Sequence, residues 1–206
     1  MDERIRALIE LSAALARGRR GEWAQYMDRA AEVATPAEIE EVLLQSYLFV
    51  GYPTLLQALE VWRSRQEVAV EPDATPPTEW QGRGEAVFRQ VYGDQHERLR
   101  DNVRALHAEV AEWMLLEGYG KVLARPGLDL KTRELCIVAL LVGQDSPKQL
   151  YSHMRGALNV GATPEELEIT VLLASRSAPR EFVEGARATW ERVRNRYREM
   201  NGREAT

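Results

Sequence analysis

Apolar side chains recur at every third or fourth position along most of this chain of 206 residues. Residues 36–50 show the pattern clearly, because their apolar positions are Ile39, Val42, Leu43, Tyr47 and Val50. This spacing places the apolar side chains on one face of an α-helix, which then packs against a core. No segment shows convincing alternation of apolar and polar residues, the pattern of a half-buried strand. The sequence therefore predicts an all-α fold.

One helix-start signal occurs twice. Thr35 precedes Pro36, and Glu38 follows the threonine by three residues, which is a capping box with proline at the first helical position. An offset of 128 residues relates the pairs Thr35/Thr163, Pro36/Pro164, Glu38/Glu166 and Trp62/Trp190. Because the spacing is constant over this stretch, we predict two related helical units that arose by tandem duplication.

A region without helical periodicity separates the two units. Residues 67–84 contain three prolines and two glycines, a composition typical of a linker. The predicted organisation is an N-terminal half-unit at 1–66, this linker at 67–84, a C-terminal helical domain at 85–200 and a disordered tail at 201–206.

The composition narrows the class of protein. Hydrophobic residues make up 45% and charged residues 29% of the chain, as in ordinary soluble domains. The net charge of −5, with both signs interspersed, argues against a nucleic-acid partner. The charged first residues and the lack of an apolar run near about 18–20 residues argue against a signal peptide and a membrane partner. The single cysteine excludes an internal disulfide and fits a cytoplasmic location, which we expect.

Two ionisable residues lie on the apolar faces of consecutive predicted helices. Glu134 takes an inward position in "LDLKTRELCIVALLVG", and His153 takes one in "QLYSHMRGAL", 19 residues later. Proteins use a buried carboxylate beside an imidazole both as a structural hydrogen bond and for acid–base chemistry. With a one-residue gap the match extends upstream of this stretch, and the positions of the first unit that match Glu134 and His153 are then Ala7 and Gln25, so both ionisable groups are missing there. The spacing leaves open whether the pair is structural or catalytic.

Other candidates for chemistry are weaker. His96 and His107 lie among charged residues, and Cys136 lies on a predicted buried helix without a basic neighbour. No histidine or carboxylate has the spacing of a metal site, so no metal is predicted. The glycines of "EGYGK" lack the spacing of a phosphate-binding loop, and we expect no cofactor.

The second unit carries motifs in the order of a known family. "RPGLDLKTRELCIVALLVG", followed by "QLYSHMRGALNVGATPEELE", resembles the carboxymuconolactone decarboxylase family, in the superfamily that includes alkyl hydroperoxidase D. The resemblance covers residues 82–190 and, in duplicated form, residues 4–62. It implies an all-helical fold that assembles into trimers or hexameric rings. In the hydroperoxidase branch it implies a relay of a glutamate, two cysteines and a histidine.

The relay positions separate two activities. The glutamate and histidine of the relay fall on Glu134 and His153, but the cysteine positions hold Ser146 and Gln149. Without these thiols, peroxidase activity of that kind is disfavoured.

The decarboxylase branch needs no cysteine. The resemblance therefore implies cofactor-independent acid–base chemistry on a small carboxylated lactone or keto acid. It gives His153 the role of proton donor and Glu134 that of orienting the imidazole. Arg133 and Arg155 are the candidates for binding the substrate anion.

The decarboxylase motif is divided between the units. Tyr47, Gly51 and Pro53 carry one part in the first unit, whereas the second unit has "SRSAPRE" at the matching place. One interpretation is complementation, in which the chain forms a homotrimer as a pseudo-hexamer and Tyr47 completes the substrate pocket around Glu134 and His153. The other is erosion, in which the fold persists as an oligomeric binding module without turnover.

Overall fold

The computed structural model describes residues 1–66 and 71–204, with side chains described as far as residue 200. These ranges contain no strand, so the predicted all-α fold is confirmed. Their α-helices are α1 (Glu3–Ala16), α2 (Arg20–Ala31), α3 (Pro36–Arg63), α4 (Pro77–Tyr92), α5 (His96–Leu106), α6 (Ala108–Trp113), α7 (Leu130–Gly143), α8 (Pro147–Asn159), α9 (Pro164–Ser175) and α10 (Arg180–Glu204). A 3₁₀ turn at Gly93–Gln95 joins α4 to α5, and a π-helix at Met114–Leu123 continues α6.

Both predicted capping boxes are present. The Thr35 hydroxyl accepts a hydrogen bond from the Glu38 N–H, and the Glu38 carboxylate accepts one from the Thr35 N–H at 2.9 Å. Thr163 and Glu166 exchange the same two hydrogen bonds. These bonds satisfy N–H groups that have no partner inside the helix, and they fix where α3 and α9 begin.

Helix α3 is kinked at Gly51, whose φ of 78° and ψ of 165° are not helical. Pro53 has no N–H, so it cannot donate to the carbonyl oxygen of Phe49 four residues earlier. The side-chain amide of Gln144, just after α7, donates to that oxygen instead. The kink therefore ties Phe49 to the second unit.

The two units share one hydrophobic core. Helix α1 packs against α2 and α3 of its own unit and against α7 and α9 of the second unit. Fully buried side chains come from both units, among them Leu8, Leu11, Ile39, Trp62, Leu135, Ile137, Met154 and Leu167. The regions at 1–66 and 85–200 are therefore two halves of one packed body.

The predicted linker and tail differ from the observed structure. Residues 77–84 of the linker form the first half of α4, because Pro77 takes the first helical position, where no N–H is needed. The linker residues 67–70 lie outside the described residues. Helix α10 continues to Glu204, so residues 201–204 of the predicted disordered tail are helical, and residues 205–206 lie outside the described residues.

Within the described ranges, one helix, α3, is long and apolar enough to cross a membrane. Residues 42–59 of this helix carry no charged side chain, which differs from the expectation that the chain has no apolar run of this length. A core helix of a soluble protein has the same length and composition, and α3 packs against α1, α2 and α7. Its hydropathy is therefore weak evidence for a membrane span.

Helix α4 and the π-helix pack backbone against backbone. A Cβ atom at Gly84 would overlap the backbone of the π-helix, and a Cβ atom at Gly120 would overlap the backbone of Trp80. Two glycines thus permit an approach that any other residue would prevent. The contact holds Tyr92, at the end of α4, close to Tyr119 of the π-helix.

Candidate active site

The structure brings Glu134 and His153 into contact. The Nδ1 atom of His153 lies 2.9 Å from Oε2 of Glu134, which is hydrogen-bonding distance. Glu134 is fully buried and His153 is 8% exposed. Because a carboxylate accepts, Nδ1 is the donor in this bond, and the other ring nitrogen, Nε2, does not take part in it.

The surroundings of Glu134 set its position. Asp129 caps the start of helix α7, and its carboxylate accepts a hydrogen bond from the Thr132 N–H at 2.9 Å. On the facing helix α8, a Cβ atom at Gly156 would lie 2.9 Å from Oε2 of Glu134 and 2.6 Å from a methyl group of Val91. The glycine therefore leaves the space that the buried carboxylate occupies.

Aromatic rings surround the imidazole. The ring centroids of Phe49 and Tyr92 lie 6.0 and 6.2 Å from that of His153. The Tyr119 hydroxyl donates a hydrogen bond to the Tyr92 hydroxyl at 2.6 Å, and both side chains are buried. Burial raises the pKa of both phenols, and the charge of Glu134 acts in the same direction. Both tyrosines therefore remain neutral donors beside the histidine.

His153 lies in the wall of a cavity of about 490 Å³. Most of the wall is apolar and comes from Leu48, Phe49, Leu99, Val103, Leu106, Val110, Trp113, Met114 and Leu123. The polar part comes from Asn102, Glu117, Lys148, Gln149 and Ser152, together with the two tyrosines and the imidazole. An apolar cavity with a few convergent polar groups is typical of a small-molecule site.

Arg133 does not line this cavity, which corrects its predicted role in binding the substrate. It is fully buried, and its Nη2 donates to the Glu41 carboxylate and to the Arg125 carbonyl, both at 2.8 Å. Its other donors bond to Gln45 and to the Leu128 carbonyl. Burial lowers the pKa of Arg133, and the neighbouring Glu41 opposes that shift. The arginine therefore joins α7 to α3 through a buried ion pair.

The other two predicted substrate-binding residues also lie outside the His153 cavity. Arg155 lines a neighbouring cavity of about 270 Å³. Tyr47 lines neither cavity, and its ring stacks on Tyr52 with 4.9 Å between centroids. Burial, with a contribution from the charge of Glu117, raises the pKa of Tyr47 to about 12. The first unit does reach His153, but through Phe49 rather than Tyr47.

Sequence reasoning missed the aromatic part of the site. Phe49, Tyr92 and Tyr119 have the helical spacing of ordinary core residues, and their proximity to His153 depends on how distant helices pack. The available signal was the glycines inside the helical patterns, since such a glycine often marks a close backbone contact.

The groups needed for thiol or metal chemistry are not assembled at this site. Cys136 is fully buried on α7, and burial raises its pKa from 9.0 to about 12. Gln149, at one of the relay's cysteine positions, lines the cavity with an amide. Among the described residues, no cluster of three or more histidine, cysteine or acidic side chains could hold a metal ion.

Comparison with known proteins identifies the class to which this helical fold and its buried pair belong. The model of the carboxymuconolactone decarboxylase family matches residues 109–192. A 4-carboxymuconolactone decarboxylase of Acinetobacter baylyi is 30% identical over 93 residues, which are 45% of this chain and 69% of that protein. A nitrosuccinic acid decarboxylase of Metarhizium robertsii is 41% identical over 66 residues, 32% of this chain and 43% of that protein.

A further relative bears a name of a different kind. Peroxisomal protein 2 of Schizosaccharomyces pombe is 33% identical over 138 residues, and the alignment spans 63% of each chain, less than two thirds of that protein's length. The chain belongs to the carboxymuconolactone decarboxylase family. Two of the relatives are named as decarboxylases.

Proposed function

We propose that the protein removes carbon dioxide from a small carboxylated lactone or keto acid by acid–base catalysis, without a cofactor. The observation that carries the proposal is the position of His153. One ring nitrogen is bonded to the buried carboxylate of Glu134, and the ring lies in the wall of an apolar cavity. A histidine so held is a proton donor with a fixed direction.

The reaction needs a substrate whose carboxylate stands on a carbon bonded to an electron-accepting group, or conjugated with one, such as the carbonyl group of a β-keto acid or lactone. The carbon–carbon bond to the carboxylate breaks, carbon dioxide leaves, and the electron pair moves into the carbonyl group to form an enolate. His153, protonated at Nε2, then donates that proton to carbon and regenerates the carbonyl group. The neutral imidazole then takes up a proton from solvent. Glu134 orients the ring in both forms and stabilises the charged form that donates.

The cavity walls suit this sequence of steps. Apolar side chains disfavour a localised carboxylate charge relative to the delocalised charge of the transition state. Lys148 supplies a cation at the cavity wall, and the Tyr92 hydroxyl supplies a neutral donor for the enolate oxygen.

A catalytically inactive binding module is the second candidate. The cavity has the apolar lining of a ligand pocket, and the aligned yeast relative is named without a reaction. Such a module would bind a small molecule through the same cavity walls. His153 would then have only a structural role, as the hydrogen-bond partner of the buried Glu134.

Replacement of His153 by glutamine separates the two candidates. The amide preserves most of the side chain's size and polarity but cannot donate a titrating proton. We expect His153→Gln to lower kcat by about 10²–10⁴-fold, the usual contribution of a general acid. Carbon dioxide release from 4-carboxymuconolactone and from nitrosuccinate, the compounds named for two relatives, is the measurement.

His107→Gln is the matched control, because His107 is exposed and lines neither cavity. The control is expected to retain the wild-type rate. Equal rates for the wild type and His153→Gln would show that the histidine is structural. Binding of either compound without carbon dioxide release would favour the binding module.

A further inference from the structure

Two arginines face the cavity that adjoins the His153 cavity. Arg98 of α5 and Arg155 of α8 both line the space of about 270 Å³. Neither has a carboxylate partner within the described part of the chain, whereas Arg133, Arg125 and Arg83 are each paired with an acid. Two like charges on one cavity repel each other, and a bound anion would relieve that repulsion.

The two cavities lie side by side between α5 and α8. They share the wall residues Tyr92, Leu99, Asn102 and Ser152. We call this the α5–α8 groove, with an apolar half around His153 and a cationic half around Arg98 and Arg155. A ligand that fills both halves must itself have an apolar part and an anionic part.

The charges in the groove set the direction of such a ligand. Within the described residues, Glu117 is the carboxylate on the groove wall, and it lies in the apolar half with Lys148. The cationic half contains no acidic side chain among its lining residues. An anionic group is therefore favoured beside Arg98 and Arg155, away from Glu117.

The apolar half is large enough to hold a ligand with a bigger apolar body than a compact substrate has. Cavities of about 300–1,000 Å³ are typical for drug-sized ligands, and this half alone has about 490 Å³. Three of its wall residues remain open to solvent, since Leu106 is 86%, Trp113 54% and Val110 42% exposed. An apolar ligand body would remove part of this surface from water, which is favourable.

We infer that the α5–α8 groove binds an amphiphilic carboxylate. Its apolar body lies against α5, α6 and the π-helix, and a carboxylate remote from the reacting carbon binds Arg98 and Arg155. The inference rests on the proposed function only in placing the reacting carbon of a true substrate beside His153. Binding through the arginines and the apolar wall does not require turnover.

Decanoate is a suitable probe, because it has the apolar body and the anionic group but no carbonyl group for the proposed reaction. Titration followed by calorimetry and by tryptophan fluorescence is expected to show saturable binding to the wild type. Arg98→Gln and Arg155→Gln are each expected to weaken binding by about 10–150-fold, the loss of one charge-assisted hydrogen bond. Arg89→Gln, on the exposed face of α4, is the matched control and is expected to leave the affinity unchanged.

Two further ligands test the two halves separately. Decanol lacks the anion and succinate lacks the long apolar body, so both should bind at least tenfold more weakly than decanoate. Equal binding of succinate, or equal affinities in the wild type, Arg98→Gln and Arg155→Gln, would overturn the inference. The absence of decanoate binding would also overturn the inference. This includes the case in which a second copy of the chain covers Trp113, so that the tryptophan fluorescence changes with protein concentration and not with decanoate. Decanoate binding without turnover of any acid would leave the inference intact and count against the proposed function alone.

Discussion

At the residue scale, the position of His153 is determined from several directions. Glu134 bonds one ring nitrogen, Phe49 and Tyr92 flank the ring, and the missing side chain of Gly156 makes room for the carboxylate. A general acid needs its proton held toward one place, and these contacts reduce the freedom of the ring before any ligand binds. The arrangement is consistent with a proton donor. It does not contain the thiols that a peroxidase relay needs.

Cys136 provides a test of the missing thiol chemistry. Its pKa of about 12, raised by burial, leaves a thiolate fraction about a thousandfold smaller than that of a thiol with a pKa of 9.0. We expect negligible labelling by iodoacetamide at pH 8 in the native protein and complete labelling in guanidinium chloride, measured by mass spectrometry. Hydrogen peroxide should likewise leave the native thiol reduced. Rapid labelling of the folded protein would contradict this assignment.

The sequence identified the buried pair but not the rest of the site. Glu134 and His153 could be predicted because each interrupts an apolar helical stripe. Arg133 was misjudged because its partner, Glu41, is 92 residues away in sequence, and a buried ion pair cannot be distinguished from a ligand-binding arginine without that contact. Phe49 and Tyr92 could not be predicted for the same reason, since the contact of each with His153 is set by helix packing.

At the element scale, the contact between α4 and the π-helix depends on glycine. A Cβ atom at Gly120 would overlap the backbone of Trp80, which cannot move as a flexible side chain would. We expect Gly120→Ala to lower the free energy of unfolding by about 1–3 kcal/mol or more, as overpacking does. Urea denaturation followed by circular dichroism is the measurement.

Gly118 on the same π-helix is the matched control. A Cβ atom there would meet nothing within 4 Å, so Gly118→Ala should be neutral or slightly stabilising, by up to about 1 kcal/mol. Equal destabilisation by both substitutions would show that the π-helix needs glycine for its backbone conformation and not for the approach to α4.

The segment before α4 is predicted to lose stability in acid. Burial raises the pKa of Asp73, but hydrogen bonds from Thr75 and Arg83 outweigh this effect and lower it from 3.8 to about 2. A folded pKa below the unfolded one means that the carboxylate stabilises the fold above pH 3.8, and that this contribution disappears as the pH falls through about 2. The Asp73–Arg83 ion pair, at 2.9 Å, is the contact that is lost.

Comparison of the wild type with Asp73→Asn isolates this contribution. The Tm difference between them should be largest above pH 4 and should shrink toward zero near pH 2, as measured by differential scanning calorimetry. The pKa values of Glu38 and Asp129 are also lowered, so both proteins are expected to lose stability in acid, and only the difference is diagnostic. A Tm difference that does not vary with pH would contradict the prediction.

Most helices could be predicted from the sequence, with two instructive exceptions. The capping boxes at Thr35 and Thr163 marked two helix starts correctly, because the side-chain hydrogen bonds that form there are local. The prolines before α4 indicated a linker, although Pro77 is compatible with a first helical turn. The π-helix could not be predicted, because the apolar spacing of one π-turn does not differ enough from that of an α-helix.

At the scale of the whole molecule, the structure changes how the two units align with each other. The buried residues Trp23, Met27 and Ala30 of α2 match Leu150, Met154 and Ala157 of α8 at an offset of 127. This places Tyr26, and not the exposed Gln25, opposite His153, and puts the one-residue gap between α2 and α3. Tandem duplication stays a prediction, and the first unit still has no acid–base pair at these positions.

The number of chains in the assembly is also a property of the whole molecule. We propose a homotrimer, in which three chains of two units resemble a hexameric ring, and we expect a mass near three times 23.4 kDa by light scattering. Large apolar side chains that one chain leaves exposed, such as Leu56 at 58% and Leu172 at 54%, would then lie between subunits. A chain with both Leu56→Lys and Leu172→Lys is expected to dissociate, because buried unpaired charges oppose association. A monomeric wild type at all protein concentrations would refute the trimer, and would require the proposed chemistry to proceed within a single chain.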